Sequence, residues 1–328
     1  MKHRTALLLV LAINPSAGAD DSPASARPPN PLVRVVTVSQ DGLQDQPGKP
    51  LLDATLKLLD RAASFQPDIA CLPETFTRGE AEPVDGPTTR RVADWARAHS
   101  CYVICPLQVR AGERIYNSAV LIDRAGKIVG RYDKIRPTET ELDKGVSPGP
   151  VDPPVFQTDF GLIGIQICFD VNWHEQWRKL NEKGARLIFF PSAFPAARQL
   201  RTLALLNQCF VVSATQRSVS SILDITGDTI QSTGKYQGWA GAVLPLGKRL
   251  FEVDFHVDKM RQLQTKYGAR VQVTWHHDDD LVSLASLDPD LTVQQLIEEY
   301  RLTPHRAYME RAQQKQDRAR PAAQEKLP

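Results

Sequence analysis

The chain has 328 residues, 42% hydrophobic and 24% charged, with a formal charge of +2. That is ordinary globular composition, enough for one large or two medium domains. The near-neutral balance supplies no strong field for nucleic acid or a membrane surface, so neither is an expected partner.

The chain opens on a basic "MKHR", an apolar "ALLLVLAINP" too short to span a bilayer, and small residues at Ala17 and Ala19. This pattern predicts an export signal over residues 1–19, cleaved near Ala19, and hence a periplasmic or secreted location. An N-terminal strand is the competing reading. The Pro/Ser/Ala-rich stretch that follows reads as a flexible leader over 20–31. No later apolar run is long enough to cross a membrane.

From residue 32 the pattern becomes regular. "LVRVVTVSQ" is a Val-rich buried strand, "PLLDATLKLLDRAASF" has helical spacing, and "DIACLPE" is a second strand. "TTRRVADWARAHS" is an amphipathic helix and "CYVICPLQVR" a third strand. "YNSAVLIDRAGKIVGRYDKI" and "VFQTDFGLIGIQICFD" each read as a hairpin around a glycine turn. A helix from about His174, the strand "ARLIFFPSA", the helix "ARQLRTLALLNQ" and the strand "CFVVSAT" follow. The hairpin "SILDITGDTIQS" and the strands "WAGAVLPL" and "RLFEVDFHV" close the series. Strands and helices alternate, but hairpins interrupt them, so the fold class is α/β with mixed sheets. Apolar residues on both strand faces predict sheets covered on both sides. One domain over 32–285 is expected, then a helical and strongly polar tail over 286–328 that frays or docks on a partner subunit.

Several motifs fail on physical grounds. "GVSPG" at 145–149 matches G-x-S-x-G, but the residue after the serine, which must donate its N–H to an oxyanion, is Pro148. "HEQWR" has Arg178 where a zinc-binding helix needs its second histidine. "HHDDD" at 276–280 reads as a solvated loop. No metal site is expected. Five cysteines leave at least one unpaired within the chain. Cys71, Cys101, Cys105 and Cys209 sit in apolar runs, where an inert buried thiol is the default.

Three apolar runs end in reactive groups: "IACLPE" in Glu74, "VGRYDK" in Lys134 and "GIQIC" in Cys168. Strand ends are where α/β sheets collect ligands, because the sheet is rigid and its ends are accessible. Together the three resemble the carbon–nitrogen hydrolase family, the nitrilase superfamily. "IACLPETF", "GRYDKIRPTETE" and "IGIQICFDVNWHE" carry the resemblance, with support from "ARLIFFPSAF" and "NQCFVVSAT", in order across about residues 33–257.

The resemblance implies a four-layer α-β-β-α sandwich, a homodimer or higher homo-oligomer, and no cofactor. It implies a Glu-Lys-Cys triad at Glu74, Lys134 and Cys168, and a second glutamate at Glu141, with Glu139 competing. A free thiol of ordinary pKa is mostly protonated at neutral pH, so the adjacent carboxylate accepts its proton and the ammonium supports the oxyanion. The N–H of Phe169 is the natural second oxyanion donor. Asn172, Trp173 and Phe194 are pocket candidates, and Tyr116 and Asn117 weaker ones. The expected substrate is a small amide or N-carbamyl compound. Phe169-Asp170-Val171 after the cysteine is similar to those branches, whereas nitrilases commonly have Trp-Glu-Asn. "KIRPTETE" resembles nitrilases as well, and Trp173-His174-Glu175 departs from the common Phe-Pro-Glu, so a nitrile remains an alternative. A catalytically idle scaffold and a thiol oxidoreductase are the other readings. Retention of the triad opposes the first, and the lack of a C-x-x-C pair opposes the second.

Overall fold

The structure, a computed structural model, describes residues 32–43 and 45–320. The expected signal and leader, and the last eight residues of the expected tail, lie outside the described residues. Among these, no helix is long and apolar enough to cross a membrane.

Two six-stranded sheets form the body. The first holds β1 (Leu32–Val38), β2 (Ile69–Cys71), β3 (Tyr102–Ala111), β4 (Arg114–Ile122) and β5 (Ile128–Asp133). The second holds β6 (Val155–Thr158), β7 (Gly161–Ile165), β8 (Leu187–Ser192), β9 (Phe210–Thr215), β10 (Ser221–Leu223) and β11 (Thr229–Ser232). The chain then returns to the first sheet as β12 (Trp239–Pro245), antiparallel to β1. Within each sheet a parallel trio, β1-β2-β3 or β7-β8-β9, is extended by antiparallel hairpins. The sheets are therefore mixed, as the interrupted strand–helix alternation implies.

Parallel neighbours need crossovers, and helices supply them. α1 (Lys49–Ala62) and α2 (Pro87–His99) cover the first sheet, and both begin with a glycine cap and an early proline that cannot serve a helix interior. A short turn of helix, α3 (Glu139–Asp143), follows β5, and α4 (His174–Glu182) and α5 (Ala197–Asn207) cover the second sheet. Three apolar clusters mark the layers. Val35, Ile69 and Ile104 of the first sheet meet Ile165, Phe189 and Val212 of the second in the central cluster. Leu59 and Trp95 pack on the outer face of the first sheet, Trp177 and Leu203 on that of the second. The order is helix, sheet, sheet, helix.

Beyond this body stands a three-stranded sheet that the sequence reading represents by one strand only. It comprises β13 (Arg249–Glu252), β14 (Val271–His276) and β15 (Leu281–Ser286). With α6 (Val257–Tyr267) and α7 (Val293–Tyr300) it encloses its own cluster around Phe251, Met260, Leu284 and Leu296. "HHDDD" is the loop between β14 and β15. The polar α8 (His305–Ala319) is tied back by Arg306, which donates to the Asn181 side chain and, at 2.8 Å, to the Asn207 carbonyl.

Candidate active site

Each reactive side chain follows a strand. Glu74 lies just past β2, Lys134 is the residue after β5, and Cys168 lies just past β7. The two sheets face each other, so these ends converge. Lys134 is 1% exposed and its Nζ donates to Glu74 Oε1 at 3.0 Å and Glu141 Oε2 at 2.7 Å. An ammonium has three donors, so one remains uncommitted.

Asn117, a weaker candidate in the sequence, is the joint of the cluster. Its Nδ2 donates to Glu74 Oε1 at 2.8 Å and to Glu141 Oε1 at 2.7 Å. That orientation leaves Asn117 Oδ1 buried with no hydrogen-bond partner, a cost accepted to hold two carboxylates side by side. Backbone pairing supports it: Lys134 N donates to Asn117 O at 2.8 Å.

Glu141, rather than Glu139, meets the lysine. Thr138 caps α3 and receives the Glu141 N–H, while its own N and Oγ1 donate to Glu141 Oε2 at 2.8 and 3.0 Å. Glu139 is exposed one position into the same turn. Burial alone would raise the Glu141 pKa, but the Lys134 charge and the bonds from Lys134, Thr138 and Asn117 hold it below the ordinary value. Burial likewise opposes the Lys134 charge, yet Glu74, Cys168 and Glu141 raise its pKa above the ordinary lysine value. Both carboxylate oxygens of Glu141 are thus engaged. Among the described residues Glu74 Oε2 accepts no hydrogen bond, and it is the free oxygen of the cluster.

Cys168 is held in a strained turn. Its φ is +48°, in the left-handed region that non-glycine residues seldom occupy. Asp170 maintains that turn, accepting from Ile167 N at 3.0 Å and Tyr132 OH at 2.7 Å on one oxygen and from Arg136 N at 2.8 Å on the other. It thereby staples the cysteine turn to the loop that follows Lys134. Neither Asp170 nor Tyr132 stands out in the sequence as a site residue. Thr75, after Glu74, is also left-handed at φ +38°, and Gln216 holds this turn by donating to Glu74 O at 2.6 Å.

Burial and the neighbouring Glu74 charge push the Cys168 thiol up to about 12, against the lowering effects of Lys134, the Ala193 backbone and the Ser192 hydroxyl. The sulfur is therefore a thiol at neutral pH and needs a base at the moment of attack. Iodoacetamide labelling of Cys168, followed by peptide mass spectrometry, should accelerate about tenfold per pH unit between pH 7 and 10, because only the thiolate reacts. A plateau below pH 9 would instead mark a preformed thiolate. The four other cysteines are free and fully buried.

A cavity of 640 Å³ lies beside α3 and the turn after Cys168, walled by Ile135, Arg136, Thr138, Glu139, Phe169 and Trp173 among others; Glu74, Lys134, Glu141 and Cys168 do not line it. Thr138 connects its wall directly to Glu141. Phe169 and Trp173 meet edge to face with ring centroids 5.2 Å apart. Asn172 and Phe194 do not border this cavity. Asn172 is exposed and bonds Phe169 O at 3.0 Å, and Phe194 packs against the apolar core. Tyr116 lies under the Arg131 guanidinium, 5.4 Å from ring centroid to carbon.

Comparison with known proteins agrees with this architecture. A β-ureidopropionase of Arabidopsis thaliana is 29% identical over 161 residues, 44% of this chain and 40% of that protein. A deaminated glutathione amidase of Synechocystis sp. is 33% identical over 127 residues, 34% of this chain and 46% of that protein. The chain thus spans about half the length of these curated relatives. The crystal structure of an amidase from Nesterenkonia sp. superposes with a TM-score of 0.58 at 20% identity, covering 70% of this chain and 96% of that one. That likeness shows the shared fold. The sequence profile described as "Carbon-nitrogen hydrolase" matches residues 33–249, which places this chain in the carbon–nitrogen hydrolase family.

Proposed function

We propose that the protein hydrolyses a small linear amide or N-carbamyl compound through an acyl thioester on Cys168. The observation that carries this reading is the division of labour between the two glutamates. Glu141 has both oxygens occupied and anchors Lys134, whereas Glu74 keeps Oε2 uncommitted beside a protonated thiol.

In this scheme Glu74 takes the Cys168 proton as sulfur attacks the carbonyl carbon. The third Lys134 proton and the Phe169 N–H receive the developing oxyanion; a single such donor contributes about 3–4 kcal/mol of transition-state stabilisation. The tetrahedral adduct collapses, the carbon–nitrogen bond breaks, and Glu74 returns the proton to the leaving amine or ammonia. A water molecule, deprotonated by the same carboxylate, then attacks the thioester carbon and releases the acid and the thiol. The low-dielectric pocket strengthens each of these charge interactions. Amidase and ureidopropionase relatives support the choice of substrate class.

Ammonia release from a panel of small amides, N-carbamyl amino acids and nitriles tests the reading. At least one amide or carbamyl compound should be turned over by the wild type, with roughly a 10⁴-fold loss in Cys168→Ala. Turnover confined to nitriles, or surviving in Cys168→Ala, would contradict it.

A further inference from the structure

Three arginines gather at the end of the second sheet opposite the cysteine. Arg186 immediately precedes β8, whose other end carries Ser192 beside the Cys168 thiol. The six residues of β8, at about 3.3 Å each, separate the two ends by roughly 20 Å. The Arg186 carbonyl accepts from Phe210 N at 3.0 Å, so Arg186 adjoins the turn between α5 and β9. Arg306, the second residue of α8, reaches the same turn. It donates to Asn207 O at 2.8 Å and to the Asn181 side chain at the end of α4. Its neighbour His305 meets Gln208 of that turn at 3.0 Å and Glu252 of β13 at 3.2 Å. Arg249 opens β13. Distant parts of the chain thus bring three half-buried guanidiniums to one junction.

Nothing in the junction neutralises them. Among the described residues the Arg186 guanidinium has no hydrogen bond and no ion pair. Arg249 donates only to carbonyls, Lys248 O at 2.8 Å and Leu246 O at 3.4 Å, and the acceptors of Arg306 are neutral as well. Arginines elsewhere are matched to acids: Arg124 to Asp68 and Asp159, Arg131 to Asp133, Arg270 to Asp288. The acids on the neighbouring elements are engaged differently. Glu182 pairs with Arg178 at 2.5 Å and Glu252 with His305, while the exposed Glu310 of α8 forms no ion pair with any of the three. Burial lowers the Arg249 pKa to about 10, and the Arg186 and Arg306 charges act in the same direction. Burial and then the Arg306 charge also lower that of Arg186. The carbonyl ends of α4 and α5 favour cations here, but each is equivalent to only about half a negative charge, against three full positive ones. A guanidinium keeps its proton at any physiological pH, so the excess must be met from outside the fold.

We propose that Arg186, Arg249 and Arg306 form a second binding site, remote from Cys168, for a phosphate group. A single carboxylate would offset one of the three charges. A phosphate carries about −1.5 to −2 at neutral pH and three acceptor oxygens, which suits three converging forks of donors. Partial exposure of the three side chains gives a small solute access. A phosphate bound there bridges α8, β13 and the start of β8, and so fastens the polar α8 and the third sheet to the body. This site stands independently of the amide-hydrolase reading.

Calorimetry of the full chain with inorganic phosphate, at ionic strength held constant with sodium chloride, tests the assignment. One phosphate per chain should bind with a Kd at or below about 1 mM. Arg186→Met and Arg249→Met, which keep the apolar stems, should each weaken binding about 10–100-fold, the range for one charge-assisted contact. Neither should change Cys168-dependent turnover. Phosphate should raise the unfolding midpoint of the wild type, as any ligand of the native state does, and raise it far less in the variants. In chloride alone Arg186→Met should unfold at the same temperature as the wild type or higher, because it relieves a repulsion. Phenyl phosphate identifies the source of the group: tighter binding than inorganic phosphate marks a phosphorylated metabolite, weaker binding the free ion. Absence of saturable phosphate binding, or binding equal in all three proteins, would overturn the proposal. So would a lower midpoint of Arg186→Met in chloride, which would show an arginine already paired. If phosphate does not bind and sedimentation shows Arg186→Met dissociating a homo-oligomer, the counter-charge comes from a second copy of the chain and the phosphate site is refuted.

Discussion

Replacing Lys134 by methionine is expected to abolish turnover and to destabilise the fold by about 3–5 kcal/mol, the usual consequence of removing one partner from a buried ionic group. The side chain is 1% exposed, and among the described residues it is the one cation paired with both Glu74 and Glu141. Without it, two carboxylates joined to a single Asn117 amide face each other in a low-dielectric space. Their repulsion adds to the lost hydrogen bonds. The oxyanion also loses its charged donor, so kcat should fall by about 10³-fold or more even in protein that remains folded. The sign with pH follows from the carboxylates. In the variant they become neutral as pH falls, so the stability gap from wild type should narrow in acid. Lys134→Met/Glu141→Gln should regain much of the stability and none of the activity. Urea denaturation and ammonia release measure both, and a loss under 1 kcal/mol would show that the pair is not buried as described.

Asp170→Ala is the second large effect. It leaves Tyr132 OH, Ile167 N and Arg136 N without their acceptor inside the fold. Each unmet buried donor costs about 1–3 kcal/mol, so a loss near 4 kcal/mol is expected. Activity should fall further than stability, because the carboxylate holds Cys168 at its left-handed φ. Asp170→Asn isolates the charge. Burial raises the Asp170 pKa to about 6 from an ordinary 3.8. A raised acid contributes stability that is complete below about pH 4 and is lost as pH rises through 6. This corresponds to about 3 kcal/mol for a two-unit shift. The gap between wild type and Asp170→Asn should therefore narrow by about that amount from pH 4 to 7 in denaturant titrations. A constant gap would place the ordinary carboxylate pKa at Asp170.

The residues that announce themselves in the sequence are those whose type is odd for their place. A thiol, a lysine and a glutamate at the ends of apolar strands stand out against a core pattern, and these three meet in space. The choice between Glu139 and Glu141 was also written locally. Thr138-Glu139-Thr140-Glu141 contains T-x-x-E, the capping-box spacing, and only its last member can fold back on Thr138. Asn117, Asp170, Tyr132 and Gln216 gave no comparable signal. Their importance lies in which distant groups their hydrogen bonds join, 38 residues apart for Tyr132 and Asp170 and 142 for Gln216 and Glu74. Periodicity cannot encode such pairings. Phe194 follows a strand end, which in sequence marks it for the pocket, but its ring packs against the core instead. The third sheet was hard to read for a different reason. β14 has short alternation with intermediate burial, the weakest of strand patterns.

The most direct test of the mechanism is to quench wild-type protein in acid during turnover of its best amide and map the peptides by mass. An acyl group is expected on the Cys168 peptide, removable by neutral hydroxylamine as a thioester is, and absent from Cys168→Ala. Steady turnover with an unmodified Cys168 peptide, or with the label on another residue, would contradict it.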